Sequence, residues 1–434
     1  MTPKSPAPCK TDAPSAPGTL GPVRKCVVGI QFLFVAFGGT VLMPLLVGLE
    51  PSTALFTAGV GTLLFHAVTK GKVPVFLGSS FAFIAPILAV SAEWGLDAAV
   101  GGFLGVAAAY LAASALVRWR GTEFLDRVFP PVVVGPTIVL IGLSLAGGAV
   151  TMAQADWLLA LVSLAVAVAV MSWGRGLPRL LPVVAGVGAG YAVAAALGRV
   201  DVSGIAAAPW FALPPNLAHP HLPRVAWQPT ACLVPVALAC ILEHVGDIYV
   251  VGQVAGKDFV REPGLHRTLL GDGLAVLFAA LAGGPPVTTY SEVTGAVQIT
   301  RVTDPAVLRI TAAAAIALSV FGKLAAVLRS IPDPVVGGIM LLLFGSIASV
   351  GIQGMVRNKV DFSETRNLVI SGVMLTLGVG GAAVRWGSFS LGGIGLSALV
   401  GIALNMVLPR TSPSADANAV DGGRHPRWKA PPEH

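Results

Sequence analysis

Long apolar runs recur from end to end of this chain, and about 20 apolar residues make a helix that crosses a hydrocarbon core. Within a bilayer the backbone must satisfy its own hydrogen bonds, so a chain of such runs folds as a bundle of helices. Fourteen runs can be delimited, at 26–48, 52–69, 74–92, 97–117, 130–150, 157–173, 180–198, 230–251, 268–283, 285–300, 306–328, 333–353, 367–383 and 389–408. Only 11% of the 434 residues are charged, against about 25% in soluble domains. With a mean hydropathy of +0.80, the chain reads as an all-α polytopic protein of the lipid bilayer, not as a globule with a large core.

The Lys and Arg residues test this count, because segments on the cytoplasmic side carry an excess of them. With fourteen spans and both termini cytoplasmic, only Arg199, Arg224, Arg329 and Arg385 fall in outer segments. Lys323 sits near the outer end of span 11, where it can snorkel, and the other basic residues lie inside. One span more or fewer scrambles this asymmetry. The net charge of +7 therefore reflects orientation in a membrane, and no nucleic-acid partner is expected. Residues 1–25, rich in Pro, Ala and Ser, have no apolar stretch of their own. They are expected to form a disordered cytoplasmic tail and not a cleaved signal peptide. Residues 409–434 are expected to be a second polar tail on the same side. The longest outer connection, 200–228, carries His219 and His221. Cys9, Cys26, Cys232 and Cys240 form no CxxC pair or His-spaced cluster, so neither a metal site nor a disulfide framework is expected.

Spans 3 and 10 are irregular. Span 3 begins Lys72-Val-Pro-Val-Phe-Leu-Gly-Ser-Ser-Phe-Ala-Phe-Ile-Ala-Pro86, and span 10 begins Gly284-Pro-Pro-Val-Thr-Thr-Tyr-Ser-Glu-Val-Thr-Gly295. Each sets Pro, β-branched or aromatic residues and small polar residues ahead of a helical run, which predicts a short extended (β) segment before a half-helix. Each is the third span of a seven-span half. Because seven is odd, the second half inserts upside down, giving the 7+7 inverted repeat of secondary transporters with interrupted segments near the midplane. Backbone N–H groups left unpaired there become donors for a solute.

Two carboxylates stand inside apolar runs, Glu243 in span 8 and Glu292 in span 10. An ionisable group at that depth is costly and marks a functional site. Glu243 shares a helix face with Asp247 four residues on, and His244 adjoins it. Glu243 is expected to hydrogen-bond a solute and take up a proton, with Asp247 and His244 taking part in proton coupling. The structural alternative pairs Glu243 with His244 or with a neighbouring helix. Glu292 follows Ser291 where extended chain gives way to helix, so it is either a second ligand or a cap favoured by the helix dipole. Two such acids suit a solute rich in N–H donors, such as a cyclic imide. An anionic solute calls for Arg or Lys, and none falls in the predicted interior.

Gln31 either lines the same cavity or packs helices together, and Ser80 and Tyr290 are further cavity-lining candidates. His66 reads as interfacial. Asp272 reads as structural, capping span 9 or contacting span 8. A channel needs a continuous polar pore face, which the apolar spans 12 to 14 do not offer. An enzyme needs a nucleophile–base pair or a metal cluster, and neither is visible.

In this order the motifs resemble the nucleobase–ascorbate (nucleobase:cation symporter-2) family, and within it the bacterial uracil permeases, from Lys25 to Pro409 with gaps around spans 5 to 7. The resemblance rests on Gln31-Phe-Leu-Phe-Val-Ala-Phe-Gly-Gly-Thr-Val-Leu-Met-Pro44, Leu77-Gly-Ser-Ser-Phe-Ala-Phe-Ile84, Leu242-Glu-His-Val-Gly-Asp247 and Pro263-Gly-Leu-His-Arg-Thr-Leu-Leu-Gly-Asp-Gly273. The family signature (Gln/Glu)-Asn-x-Gly-x4-Thr-(Arg/Lys) is matched by Glu292-Val-Thr-Gly-Ala-Val-Gln-Ile-Thr-Arg301.

The resemblance implies a core domain (26–117 and 230–328), a gate domain (130–198 and 333–408) and a homodimer. It implies that Glu243 and Glu292 bind a pyrimidine ring while the backbone amides of Phe81 and Ser291 bind its carbonyl oxygens. Glu at the first signature position goes with uracil, and Gln with xanthine or urate. The activity so implied is import of uracil across the cytoplasmic membrane by alternating access, with co-transported H⁺ and no resident cofactor. A xanthine, other purine or other pyrimidine permease is the alternative within the family. Sulfate and other anion transporters share the architecture, but the interior lacks the cation they need. Three positions depart from the pattern: Val293 replaces the signature Asn, Phe32 follows Gln31 where His is usual, and Asp247 stands where close relatives have His.

Overall fold

The computed structural model describes residues 21–121, 130–175, 179, 181–218, 222–386 and 389–409. The expected tails at 1–20 and 410–434, and His219 and His221, lie outside the described residues. Helix α1 (Pro22–Phe37) begins ahead of its expected limit, so residues 22–25 form its first turn and not the end of a tail. Pro22 at its start loses no hydrogen bond, since the first N–H groups of a helix have no internal acceptor. Lys25 is held there by Asp304 at 2.7 Å.

The chain then widens into a π-turn at Gly38–Leu42 before α2 (Met43–Val47) and α3 (Pro51–Val68). Strand β1 (Leu77–Ser79) and a 3-10 turn (Phe81–Phe83) precede α4 (Ile84–Trp94) and α5 (Leu96–Arg120). Next come α6 (Pro131–Gln154), α7 (Trp157–Trp173) and α8 (Pro182–Ala196). The Asp156 carboxylate caps α7 by accepting from the N–H groups of Leu158 and Leu159. The outer connection holds two short helices, α9 (Ser203–Ala207) and α10 (Pro215–Ala218).

The second half repeats the pattern. Helices α11 (Trp227–Ala255) and α12 (Leu265–Leu281) lead to strand β2 (Val287–Thr289) and α13 (Ser291–Thr300). They are followed by α14 (Pro305–Ser319), α15 (Gly322–Arg329), α16 (Asp333–Arg357) and α17 (Thr365–Val379). A hairpin of β3 (Ala383–Trp386) and β4 (Phe389–Gly392) precedes α18 (Gly393–Val407). Among the described residues seven helical stretches, those of α1 with α2, α3, α5, α6, α11, α12 with the turn Val260–Gly264 before it, and α16, are long and apolar enough to cross a membrane. The other expected runs carry shorter apolar helices.

Two expected boundaries are corrected. Residues 389–392 belong to the β3–β4 hairpin, so the last helix begins at Gly393. The run 306–328 is not one helix. It breaks at Phe321, whose extended backbone pairs with Phe211 of the outer connection. Ala212 N–H donates to the Val320 carbonyl at 2.9 Å and Gly322 N–H to that of Trp210 at 3.1 Å. Lys323 is also drawn in, donating to the carbonyls of Ile205 (2.6 Å) and Ala206 (2.8 Å). The Ala212 donor and the Trp210 acceptor compensate helical backbone bonds that the break gives up.

The helices pack in two groups. In the first, α5 lies along α11 and α12, α3 along α12 and α14, and α1 along α14. In the second, α6 lies along α16, α7 along α8 and α16, and α17 along α18. The groups meet chiefly where α11 touches α18 and α6, α1 touches α8, and α4 touches α6. Within each group, glycines such as Gly59 against Ala312 and Gly142 against Phe344 let backbones approach closely.

Candidate functional site

Strands β1 and β2 form an antiparallel ribbon in the first helix group, with Leu77 opposite Thr289, Gly78 opposite Thr288 and Ser79 opposite Val287. Two three-residue strands, far apart in sequence, thus satisfy each other's backbone where the helices are interrupted. The ribbon is braced from outside. Leu77 N–H donates to Thr62 Oγ1 at 2.9 Å, and Ser80 N–H to the Pro286 carbonyl at 3.1 Å. His66, expected at an interface, is instead only 3% exposed and donates from Nε2 to the Val75 carbonyl at 3.0 Å. That carbonyl lies just ahead of β1, and a buried imidazole N–H supplies its donor.

Tyr290, the residue after β2, is a strut more than a cavity wall. Its hydroxyl donates to the Ser79 carbonyl at 3.1 Å. Its ring lies so close to Gly39 and Gly78 that a Cβ at either would collide with it. The π-turn of the first run and both strands are thereby locked together.

Directly after this strut, Ser291 and Glu292 open α13. The Ser291 hydroxyl donates to Glu243 Oε1 at 2.8 Å and lies 3.3 Å from both carboxylate oxygens of Asp247. Glu243 and Asp247 are one helical turn apart on α11, so a single hydroxyl on α13 reaches both. Glu292 is half-buried in the first turn of α13, where the partial positive charge of the helix N-terminus favours a carboxylate. Two carboxylates of α11 thus meet one serine of α13, with Glu292 the next residue along that helix. Glu243 does not pair with His244. The next position on a helix is rotated by about 100°, and His244 faces the other way, fully buried, with Asp272 at 2.9 Å and Thr268 at 2.9 Å. Asp272 therefore contacts α11 and caps nothing.

On the far side, Ser80 Oγ lies 3.3 Å from Cys240 Sγ, one turn before Glu243. The Phe81 ring meets Phe344 of α16 edge-on, at 6.0 Å between centroids and 90° between planes. Gln31 is buried within α1, as is Phe32, the departure beside it. Cavities of about 380 and 360 Å³ open elsewhere, one between the outer connection and α15 near Asp201 and Arg329, the other at the end of α11 near Lys257. Neither is lined by Glu243, Asp247, Ser291 or Glu292. Among the described residues no three His, Cys, Asp or Glu side chains gather as a metal site. Sequence reasoning assigned Ser291 a role only through its amide and passed over Cys240, Thr268, Thr288 and Phe344. For Cys240, Thr268 and Thr288 the one local signal is a polar side chain within a turn of a carboxylate or in a strand; Phe344, in the middle of an apolar helix, has none.

With this geometry in place, the comparisons decide the family. The sequence model of the permease family (Xan_ur_permease) matches residues 24–386. The chain belongs to this permease family. The permease is 47% identical to a probable uracil permease of Haemophilus influenzae, over 92% of this chain and 97% of that one. It is 44% identical to the uracil permease of Bacillus caldolyticus, over 90% and 93% of the two chains. With the uracil permease of Escherichia coli the identity is 40%, over 88% and 90%.

Among solved structures, the permease aligns with the transmembrane domain of the cyanobacterial bicarbonate transporter BicA with a TM-score of 0.56 and 18% identity, covering 88% of this chain and 96% of that one. It aligns with murine solute carrier 26 family member A9, an anion transporter in the inward-facing state, with a TM-score of 0.63 and 10% identity. That match covers 88% of the permease and 67% of the carrier. These likenesses carry the fold alone, a mostly helical bundle of the kind found in those transporters. The permease is a multi-pass membrane transporter and not an enzyme.

Proposed function

We propose that this permease imports uracil across the cytoplasmic membrane by proton-coupled symport and alternating access. The observation that carries the proposal is the Ser291 hydroxyl set between Glu243 and Asp247, with Glu292 next along the chain at the start of α13 and beside the β1–β2 ribbon. Acceptor-only carboxylates match the two N–H groups of a uracil ring. The amides of Phe81 and Ser291, at the starts of a 3-10 turn and a helix, are free of helical acceptors and suited to its carbonyl oxygens. Relatives that carry the name uracil permease, at 40–47% identity over most of both chains, support this choice of solute.

Two carboxylates on one hydroxyl repel when both are charged, and a proton shared by Glu243 and Asp247 removes that repulsion. Uptake of the proton with the solute then neutralises the site for its passage through low dielectric. The first helix group (26–117 and 230–328) acts as the core that carries the site, and the second (130–198 and 333–408) as the gate it moves against. Fourteen crossings, two cytoplasmic termini and assembly as a homodimer complete the reading.

The test is uptake of radiolabelled uracil in a permease-deficient bacterium by wild type, Glu243→Gln and Glu292→Gln, with and without a protonophore. Wild-type uptake that the protonophore abolishes, and that both variants lose, is the expected result. Well-expressed protein without uracil uptake overturns the solute assignment in favour of a purine or another pyrimidine. Uptake indifferent to the protonophore overturns the proton coupling.

A further inference from the structure

We infer that His244 and Asp272 form a buried clamp that seats β2, so that His244 serves the site as a positioning residue and not as a carrier of the transported proton. His244, Asp272 and Thr268 are all 0% exposed, and the clamp joins four elements. His244 comes from α11, Asp272 and Thr268 from α12, Thr288 and Thr289 from β2, and Tyr110 from α5. One carboxylate oxygen, Asp272 Oδ2, receives the Thr288 hydroxyl at 3.0 Å, the Thr289 N–H at 3.4 Å and His244 Nδ1 at 2.9 Å. Tyr110 OH stands 3.1 Å from Thr288 Oγ1. Because the Thr288 proton is committed to Asp272, the tyrosine is the donor in that pair.

The partners of its two nitrogens assign the histidine its part. Nε2 lies 2.9 Å from Thr268 Oγ1, whose hydroxyl also reaches the Leu265 carbonyl at 2.9 Å. Nδ1 lies 2.9 Å from Asp272 Oδ2 and 3.4 Å from Thr289 Oγ1. Both ring nitrogens are engaged inside the clamp, on the side of α11 away from Ser291, so neither stands open to a proton travelling with the solute. The Phe65 ring, edge-on at 6.4 Å, closes off one further side. What the clamp does control is the strand two residues upstream of Ser291. Thr288 and Thr289 are fixed to Asp272, and the chain runs on through Tyr290 to Ser291 and Glu292. The distance from Ser291 to Glu243 is set by α11 on one side and by this anchored strand on the other.

Hydrogen–deuterium exchange on the purified full-length protein in lipid nanodiscs reads the clamp without any solute. In His244→Asn and Asp272→Asn, amides between Val287 and Val293 are expected to exchange faster than in wild type, with those of α6 and α16 unchanged. The double variant His244→Asn/Asp272→Asn is expected to fall short of the sum of the two, because each single change leaves one buried group without its partner. Should the single variants not fold, Thr288→Val, which removes only one hydroxyl donor, is measured in the same way. Exchange of 287–293 unchanged in these variants overturns the clamp.

The consequence for transport rests on the proposed function. The KM for uracil is expected to rise about tenfold, as for loss of buried polar pairing, while uptake stays sensitive to a protonophore. Uptake by His244→Asn that has lost its proton dependence overturns the positioning role. If wild type neither binds nor imports uracil, the functional reading fails and the exchange result still decides the clamp.

Discussion

At the scale of residues, a single hydroxyl does what two acidic neighbours cannot do for each other. Glu243 and Asp247 stand one turn apart on α11, and Ser291 supplies the donor between them. Ser291→Ala removes that donor while keeping the helix start. Uptake assays are expected to show a KM for uracil raised about tenfold, with little change in yield of folded protein. Tyr290 acts by shape. Gly78→Ala puts a methyl group into the Tyr290 ring, and overpacking of this kind costs about 1–3 kcal/mol. Thermal denaturation of the purified proteins is expected to show a lower melting temperature for Gly78→Ala, partly regained in Gly78→Ala/Tyr290→Ala. No recovery in the double variant argues against the strut.

At the scale of elements, the ribbon and the half-helices form one device. Antiparallel pairing sends α4 and α13 away from opposite ends of the ribbon, so the helix starts that carry Phe81 and Ser291 flank the same interruption. Opposite them, α16 of the second helix group presents Phe344 to Phe81. An edge-on aromatic pair contributes about 0.5–1.5 kcal/mol beyond its buried area. Phe344→Ala opens space beside the Phe81 amide, and pyrimidines bearing a bulky 5-substituent are expected to compete better for uptake than they do with wild type. Unchanged competition indicates that Phe344 does not bound the solute space. The break between α14 and α15 is a second composite element, made only because the outer connection supplies Phe211 and Trp210 as backbone partners.

At the scale of the whole molecule, the asymmetry of basic residues predicts cytoplasmic ends, and reporter fusions can check it. A green fluorescent protein fused after Pro409 is expected to fluoresce, and alkaline phosphatase at the same place to be inactive. An active phosphatase there would require either an odd number of crossings or the inverse of the proposed orientation. Ion pairs between remote segments, Arg329 with Glu50 and Lys72 with Glu262, tie connections to helix ends and are exposed enough to contribute little to stability. The greater part of the holding together falls to close helix packing within each group, where glycines admit neighbouring backbones.

The apolar runs, the interrupted third span of each half and the two intramembrane glutamates were legible in the sequence because each follows from local chemistry. An apolar run is a helix in lipid, a Pro-rich break is extended backbone, and a carboxylate within an apolar run stands out by its cost. Also legible was that Glu243 and Asp247 share a face, since that depends on helical spacing alone. Which way neighbouring side chains turn was not. His244 and Glu243 are adjacent in sequence, yet the helix sends one to Asp272 and the other to Ser291. The split of 306–328, the burial of His66 and the strut of Tyr290 each require a partner distant in sequence. Composition and period determined what this chain is built from and where polar groups interrupt it. Only the tertiary structure decided which of those groups meet, because buried donors and acceptors are satisfied by whatever partner the packing of remote segments brings within about 3 Å.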